Sequence, residues 1–266
     1  MYGDALLLEM VSDRDIAFAL RATGAPDEAR LPDVVRALRG DPQVLQTLVG
    51  DARVFEAVRR DPEVPVHVSP YFYFYVLLRR SRDELAHRTF TAEWLAPRHR
   101  VPVFDAQHVA EVLWDPGHLH YLAELMASFT RINPGTALHT AAAPRPGRRT
   151  RRRFSELDLN DLRALRQSVI SAADRFAVER RLGDVALMLA GVFPDSARGS
   201  GDMDAWENET RQSYRQAARE PVARAAGLEA ILEHLGDDAH IARKALNYVA
   251  DRFLQPLRDT WFRRSA

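Results

Sequence analysis

Six arginines crowd into a stretch of nine residues and could bind anions. They are Arg145, Arg148, Arg149, Arg151, Arg152 and Arg153. The average arginine content of the chain predicts about one in a stretch of that length. Guanidinium groups pair bidentately with phosphate and carboxylate oxygens. Because Lys244 is the only lysine, arginine abundance alone indicates a bias in composition. The clustering is therefore what points to binding.

The cluster lies in residues 134–154, a segment that breaks the helical pattern around it. Two short arms flank a Pro144-Arg145-Pro146-Gly147 turn, which is typical of a β-hairpin. In a strand, Arg149, Arg151 and Arg153 would share one face, with Arg148 and Arg152 on the other. A two-stranded ribbon fits a nucleic-acid groove. We therefore expect contact with nucleic-acid phosphates or with an acidic protein partner.

Two alternatives to an anion-binding hairpin stay open. Residues 134–154 could be a flexible loop rather than an ordered hairpin. The arginines could also pair with the acids that follow them in the chain, Glu156, Asp158 and Asp161. No aromatic side chain alternates with the arginines to stack on bases, and Phe154 only ends the run.

Histidines three residues after a carboxylate suggest a second chemistry, metal binding. The pattern occurs four times, where chance predicts about one: Glu84/His87, Asp105/His108, Asp115/His118 and Asp237/His240. On a helix this spacing puts two ligands on one face. The alternative function is thus a metal-dependent helical enzyme, with a divalent metal held by a cluster around residues 108–124. Its candidate ligands are His108, Glu111, His118, His120 and Glu124.

A plainer explanation of these histidines is also available. Asp105, Asp115 and Asp237 precede expected helix starts, where a carboxylate stabilises the first turn. Only Glu84 and His87 lie well inside an expected helix. A di-iron carboxylate site would need matching carboxylates on two further helices, which cannot be assigned. The plainer interpretation is that these are surface histidines or histidines with satisfied hydrogen bonds.

The composition excludes several classes of function. The 266 residues include no cysteine, which rules out disulfide frameworks, thiolate metal sites and cysteine nucleophiles. Dinucleotide-binding, Walker A, zinc-protease and serine-hydrolase motifs are absent. Acidic and basic residues balance at 37 each, so polyanion binding would be confined to a cluster. The longest apolar run, Val185–Phe193, is about half the length that crosses a bilayer. We expect a cytoplasmic protein with no membrane partner.

Apolar residues at three- and four-residue spacing predict a mainly α-helical fold. Four proline dipeptides indicate helix starts: Asp41-Pro42, Asp61-Pro62, Ser69-Pro70 and Asp115-Pro116. Further helices are expected near residues 4–21, 32–39, 105–114, 117–130, 175–193, 205–219 and 221–235. The aromatic run Tyr71–Tyr75 favours a buried helix over a strand. Small residues from Gly183 to Gly191 predict close helix packing.

The sequence therefore predicts a single helical domain of nine to eleven helices with one inserted arginine-rich β-hairpin. Residues 1–62 could form a semi-independent lobe. The predicted function is that of a non-enzymatic binding or accessory protein without a cofactor. The metal-dependent enzyme is the first alternative. A structural subunit of an assembly is the second, because no catalytic motif is present.

Overall fold

The protein is mainly α-helical in a computed structural model, as the sequence predicts. The structure describes residues 2–24, 28–60, 63–96, 99–130, 137–142, 149–154, 158–169, 171–194, 197 and 202–254. The chain divides into two compact units, one of Met1–Arg131 with Tyr248–Ala266 and the other of Ile132–Asn247. The single domain and the lobe over residues 1–62 stay predictions.

The first unit is built from helices and one short hairpin. Its helices are α1 (Tyr2–Met10), α2 (Asp13–Ala22), α3 (Leu31–Leu38), α4 (Pro42–Val49), α5 (Ala52–Arg60), α6 (Val64–His67), α7 (Pro70–Leu85), α8 (Ala106–Trp114) and α9 (Pro116–Thr130). Strand β1 (Thr91–Ala96) pairs antiparallel with β2 (His99–Val103). A 3-10 turn, Glu28–Arg30, precedes α3, and a π-helical turn, Ala250–Leu254, also belongs to this unit.

The second unit joins a second hairpin to a group of helices. Strands β3 (Ala137–Ala142) and β4 (Arg149–Phe154) form the hairpin. The helices are α10 (Leu159–Arg166), α11 (Ala172–Val192), α12 (Met203–Arg219), α13 (Pro221–Ala225), α14 (Glu229–Asp237) and α15 (Ala239–Val249). The last two residues of α15 belong to the first unit.

The described helices slightly exceed the nine to eleven expected, because several predicted helices are divided. The expected helix near 4–21 ends at Met10, and α2 begins after Ser12. Ser12 and Asp15 form a capping box, in which each side chain accepts a hydrogen bond from the other residue's backbone N–H. This local hydrogen bonding starts a new helix although the apolar pattern continues.

The hairpin of β1 and β2 corrects the expectation of one inserted hairpin. Its strands pair from Thr91 opposite Val103 to Ala96 opposite His99. Thr91 Oγ1 donates to the Asp105 carboxylate over 2.6 Å, which joins the start of β1 to the residue before α8. Pro102 lies in β2, and its missing N–H makes the segment a weak strand by sequence alone.

A buried carboxylate, Asp15, links the starts of two helices in the first unit. Asp15 accepts hydrogen bonds from Ser12 at the start of α2 and from the Ser69 backbone N–H (2.6 Å) and Oγ (2.8 Å). Ser69 caps α7 by accepting from the Phe72 N–H. A negative charge is favourable at both positive helix ends. This linkage positions α7, which carries most of the aromatic core.

The run Tyr71–Tyr75 is helical and largely buried, as the sequence predicts. Tyr71 and Phe72 are at most 1% exposed, and Tyr75 is 3% exposed. Phe72 makes an edge contact with Phe18 of α2, with ring centroids 6.3 Å apart. The aromatic run therefore forms the centre of the first unit.

The small residues of α11 allow close helix packing in the second unit, which confirms the sequence-based expectation. A Cβ atom on Gly183 would lie 2.4 Å from the Tyr214 ring of α12. One on Gly191 would lie 2.6 Å from the Leu246 Cβ of α15. Tyr214 is fully buried and donates to Asp184 over 2.8 Å, so its ring cannot move away freely.

We predict that Gly183→Ala destabilises the protein by about 1–3 kcal/mol through overpacking. Helix propensity alone predicts the opposite, a gain of about 1 kcal/mol. The measurement is the free energy of unfolding in urea. The matched control is Ala177→Ser, which adds one heavy atom on the exposed side of the same helix; it should change stability by less than about 0.5 kcal/mol. A stabilised Gly183→Ala protein would contradict the close packing.

Candidate nucleic-acid interface

The arginine-rich segment forms a regular antiparallel hairpin, which confirms the predicted element. Ala137 pairs with Phe154 at one end and Ala142 with Arg149 at the other. The strands are continuous in register over six residue pairs. Four of the six candidate arginines lie in β4: Arg149, Arg151, Arg152 and Arg153. The remaining two, Arg145 and Arg148, lie outside the described residues.

The register pairs the arginines of β4 with residues that carry no carboxylate. Arg149 lies opposite Ala142, Arg151 opposite Thr140, Arg152 opposite His139 and Arg153 opposite Leu138. Opposite charges across a ladder stabilise a hairpin, and this hairpin lacks such pairs. Its positive charge is therefore not balanced within its own strands.

The stretch of sequence without acidic residues is longer than the hairpin itself. Residues 125–155 contain seven arginines and no aspartate or glutamate. Since the whole chain has a formal net charge of zero, the other residues carry a net charge of −7. The charge of this protein is thus strongly segregated along its sequence.

Asp158, one of the acids that follow the hairpin, caps α10. Its carboxylate accepts from the N–H groups of Asn160 (2.8 Å) and Asp161 (3.2 Å). Glu156 lies outside the described residues. The Asp158 carboxylate therefore stabilises the first turn of α10.

Many carboxylates of the second unit form ion pairs with arginines of its helices. Seven of them lie within 2.5 to 3.8 Å of a helical guanidinium: Glu179, Asp184, Glu207, Glu209, Glu220, Glu229 and Asp237. Glu209 forms ion pairs with both Arg163 and Arg166. Each of these ion pairs joins an acid to a helical arginine, and the pair of Arg180 and Asp184 lies within α11.

The five candidate metal ligands occupy different environments. His108 and Glu111 are exposed on α8, whereas His118 and His120 are buried on α9. The His118 ring Nδ1 lies 3.2 Å from the Val112 carbonyl oxygen. Among the residues that the structure describes, no group of three or more histidine and carboxylate side chains is arranged to hold a metal. The metal site stays a prediction without support from this geometry.

His120 instead belongs to a buried aromatic stack. Its ring lies parallel to that of Tyr71, with centroids 6.0 Å apart, and 5.0 Å from the centroid of Tyr75. The Tyr71 hydroxyl and His120 Nδ1 form a hydrogen bond. Burial raises the pKa of Tyr71, and the nearby Tyr75 and Glu124 raise it further. The hydrogen bond and the stacked rings place His120 within the buried core around Tyr71.

Glu84, the one carboxylate of the histidine pattern expected inside a helix, is held by basic and hydroxyl groups. It accepts from Tyr248 Oη over 2.8 Å and from Arg80 Nε over 3.0 Å, and Arg252 Nε lies 3.4 Å away. Burial alone would raise the pKa of Glu84, but these hydrogen bonds and charges lower it below its ordinary value. No pattern of residue spacing predicts the contact with Tyr248, which lies 164 residues further along the chain.

Comparison with known proteins identifies no relative of this chain. No protein-family model matches it, and no curated protein or solved structure is significantly similar. Of the described helices, none has the length and apolar character needed to cross a membrane. The function must therefore be argued from the residues themselves, and the segregated charge of the hairpin is the strongest starting point.

We predict that Tyr248→Phe lowers the free energy of unfolding by about 1.5–3 kcal/mol at pH 7, because an ionised carboxylate loses a hydrogen bond. A lowered pKa means that Glu84 contributes stability above pH 4.5 and loses it as the pH falls through the folded-state pKa. The difference between the variant and the wild type should shrink in acid. Urea denaturation at pH 7 and below pH 4 measures this difference in the free energy of unfolding.

Tyr73→Phe is the control for this prediction. Burial raises the pKa of Tyr73 to about 12, so its hydroxyl does not titrate in acid. Its effect on stability should be the same at both pH values. If the effects of Tyr248→Phe and Tyr73→Phe on the free energy of unfolding changed equally between the two pH values, the assigned role of Glu84 would be contradicted.

Proposed function

We propose that the protein is a nucleic-acid-binding accessory protein that acts in the cytoplasm and contacts phosphates through the hairpin of β3 and β4. The observation that carries the proposal is the register, which gives the arginines of β4 no acidic cross-strand partner. Charge that is not balanced within a protein attracts counter-ions or a polyanion. Nucleic acid supplies phosphates in a regular array, and each one can accept a bidentate guanidinium.

The geometry of the strand supports contact with more than one phosphate at a time. Arg149, Arg151 and Arg153 occupy alternate positions of β4, so their Cα atoms are spaced by roughly 6.6 Å along the strand. Arg152 lies between the last two. A two-stranded ribbon is narrow enough to enter a major groove of about 12 Å.

Apart from its guanidinium groups, which can bind phosphates or read guanine, the hairpin offers few groups that read bases. The strand opposite the arginines offers alanine, leucine, histidine and threonine, and no asparagine or glutamine is present to read adenine. The scarcity of aromatic side chains removes the usual stacking platform for single strands. Phosphate contacts position a protein on a duplex but carry no sequence information. We therefore propose a duplex-binding element that recognises the backbone.

The test is fluorescence anisotropy of labelled duplex DNA and single-stranded RNA over a series of salt concentrations. If the four arginines of β4 each neutralise one phosphate, the slope of log K against log salt for the duplex is about −3.6. Replacing Arg149, Arg151 and Arg153 with alanine should flatten that slope by about 2.7. Duplex affinity at low salt should fall at least tenfold, with the helical circular dichroism unchanged.

The matched control changes the net charge equally at another site in the same unit. Arg215, Arg219 and Arg224 are exposed on α12 and α13, and their alanine variant should bind within twofold of the wild type with the same slope. Equal weakening by both variants would show a non-specific effect of net charge. Binding of poly-glutamate without binding of either nucleic acid would overturn the proposal in favour of an acidic protein partner.

A further inference from the structure

A pocket in the first unit lies apart from the hairpin in sequence and has a different chemistry. It is open to solvent, has a volume of about 600 Å³, and is bordered by α2 and α3. Ala17, Leu31, Pro32 and Val35 supply its apolar lining. The remaining lining residues are three arginines and one aspartate. Ligand pockets typically combine apolar walls with a few fixed polar groups, in volumes of about 300–1,000 Å³.

One arginine and the aspartate of this pocket neutralise each other. Arg39 Nε donates to Asp13 Oδ1 over 2.8 Å, and its Nη2 lies 2.7 Å from the same oxygen. Arg39 Nη1 donates to the Leu8 carbonyl oxygen over 2.5 Å. This pair fixes one side of the pocket without adding net charge to it.

The other two arginines give the pocket a positive rim. The guanidinium of Arg14 is anchored by a hydrogen bond from Nη2 to the Val66 carbonyl oxygen, which leaves its charge intact. Arg36 Nη1 lies 3.1 Å from Asp33 Oδ1, and both side chains are more than three-quarters exposed. Because an ion pair with that exposure is weak, a bound anion can compete with Asp33.

We propose that this pocket binds a small soluble amphiphile with a single anionic headgroup, such as a medium-chain carboxylate. Arg14 and Arg36 hold the headgroup, and the apolar lining contacts the body of the ligand. Removing apolar surface from water makes this contact favourable. The two arginines supply selectivity for an anion over a neutral molecule of the same shape. The site is independent of the hairpin and of the proposed nucleic-acid binding.

The experiment uses the full chain and two fluorescent probes of similar shape. Anilinonaphthalene sulfonate carries the anionic group, and N-phenylnaphthylamine is its neutral analogue. We expect one site for the sulfonate, with displacement by dodecanoate. Arg14→Gln with Arg36→Gln should weaken binding of the sulfonate at least tenfold. Binding of the neutral probe should change less than twofold, because the apolar lining is unaltered.

The matched control is Arg59→Gln with Arg60→Gln on α5, which lowers the net charge by the same amount. Both positions are exposed in the same unit, and this variant should bind both probes like the wild type. Equal loss of sulfonate binding in the control would overturn the assignment of the headgroup to Arg14 and Arg36. Absence of sulfonate binding to the wild-type protein, or its failure to be displaced by dodecanoate, would overturn the proposal itself.

Discussion

Separation of charge within a neutral chain is the physical constraint that governs this protein. Seven arginines lie within residues 125–155, where no carboxylate is present, and the other residues carry the balancing excess of acids. In the second unit many of those acids are engaged by helical arginines, as Glu209 is by Arg163 and Arg166. We propose that an external polyanion balances the charge of the hairpin, with an affinity that falls as the salt concentration rises.

The helical part of the first unit uses its polar groups for structure rather than for reaction. Asp15 accepts hydrogen bonds at the starts of α2 and α7, and the buried Tyr71 pairs with His120. Glu84 is held by Tyr248 and Arg80. Each of these acidic or aromatic groups has a partner that explains its position.

Local sequence signals predicted the features that depend on neighbouring residues. Ser69 followed by Pro70 is a local signal for a helix start, so the sequence predicts α7. The small size of the glycines in α11 likewise predicts its close packing. The division between α1 and α2 was missed because Ser12 interrupts the helix by hydrogen bonding while the apolar pattern continues. The bond between Tyr71 and His120 joins residues 49 positions apart, and no spacing rule reaches that far.

Hydrogen exchange of the full chain, with and without duplex DNA at low salt, tests the central claim most directly. Backbone amides exchange more slowly where binding suppresses local opening. We expect new protection confined to residues 137–154, reversed by high salt, with exchange in the helices of the second unit unchanged. Protection that falls on those helices while the hairpin exchanges as in the free protein would contradict it.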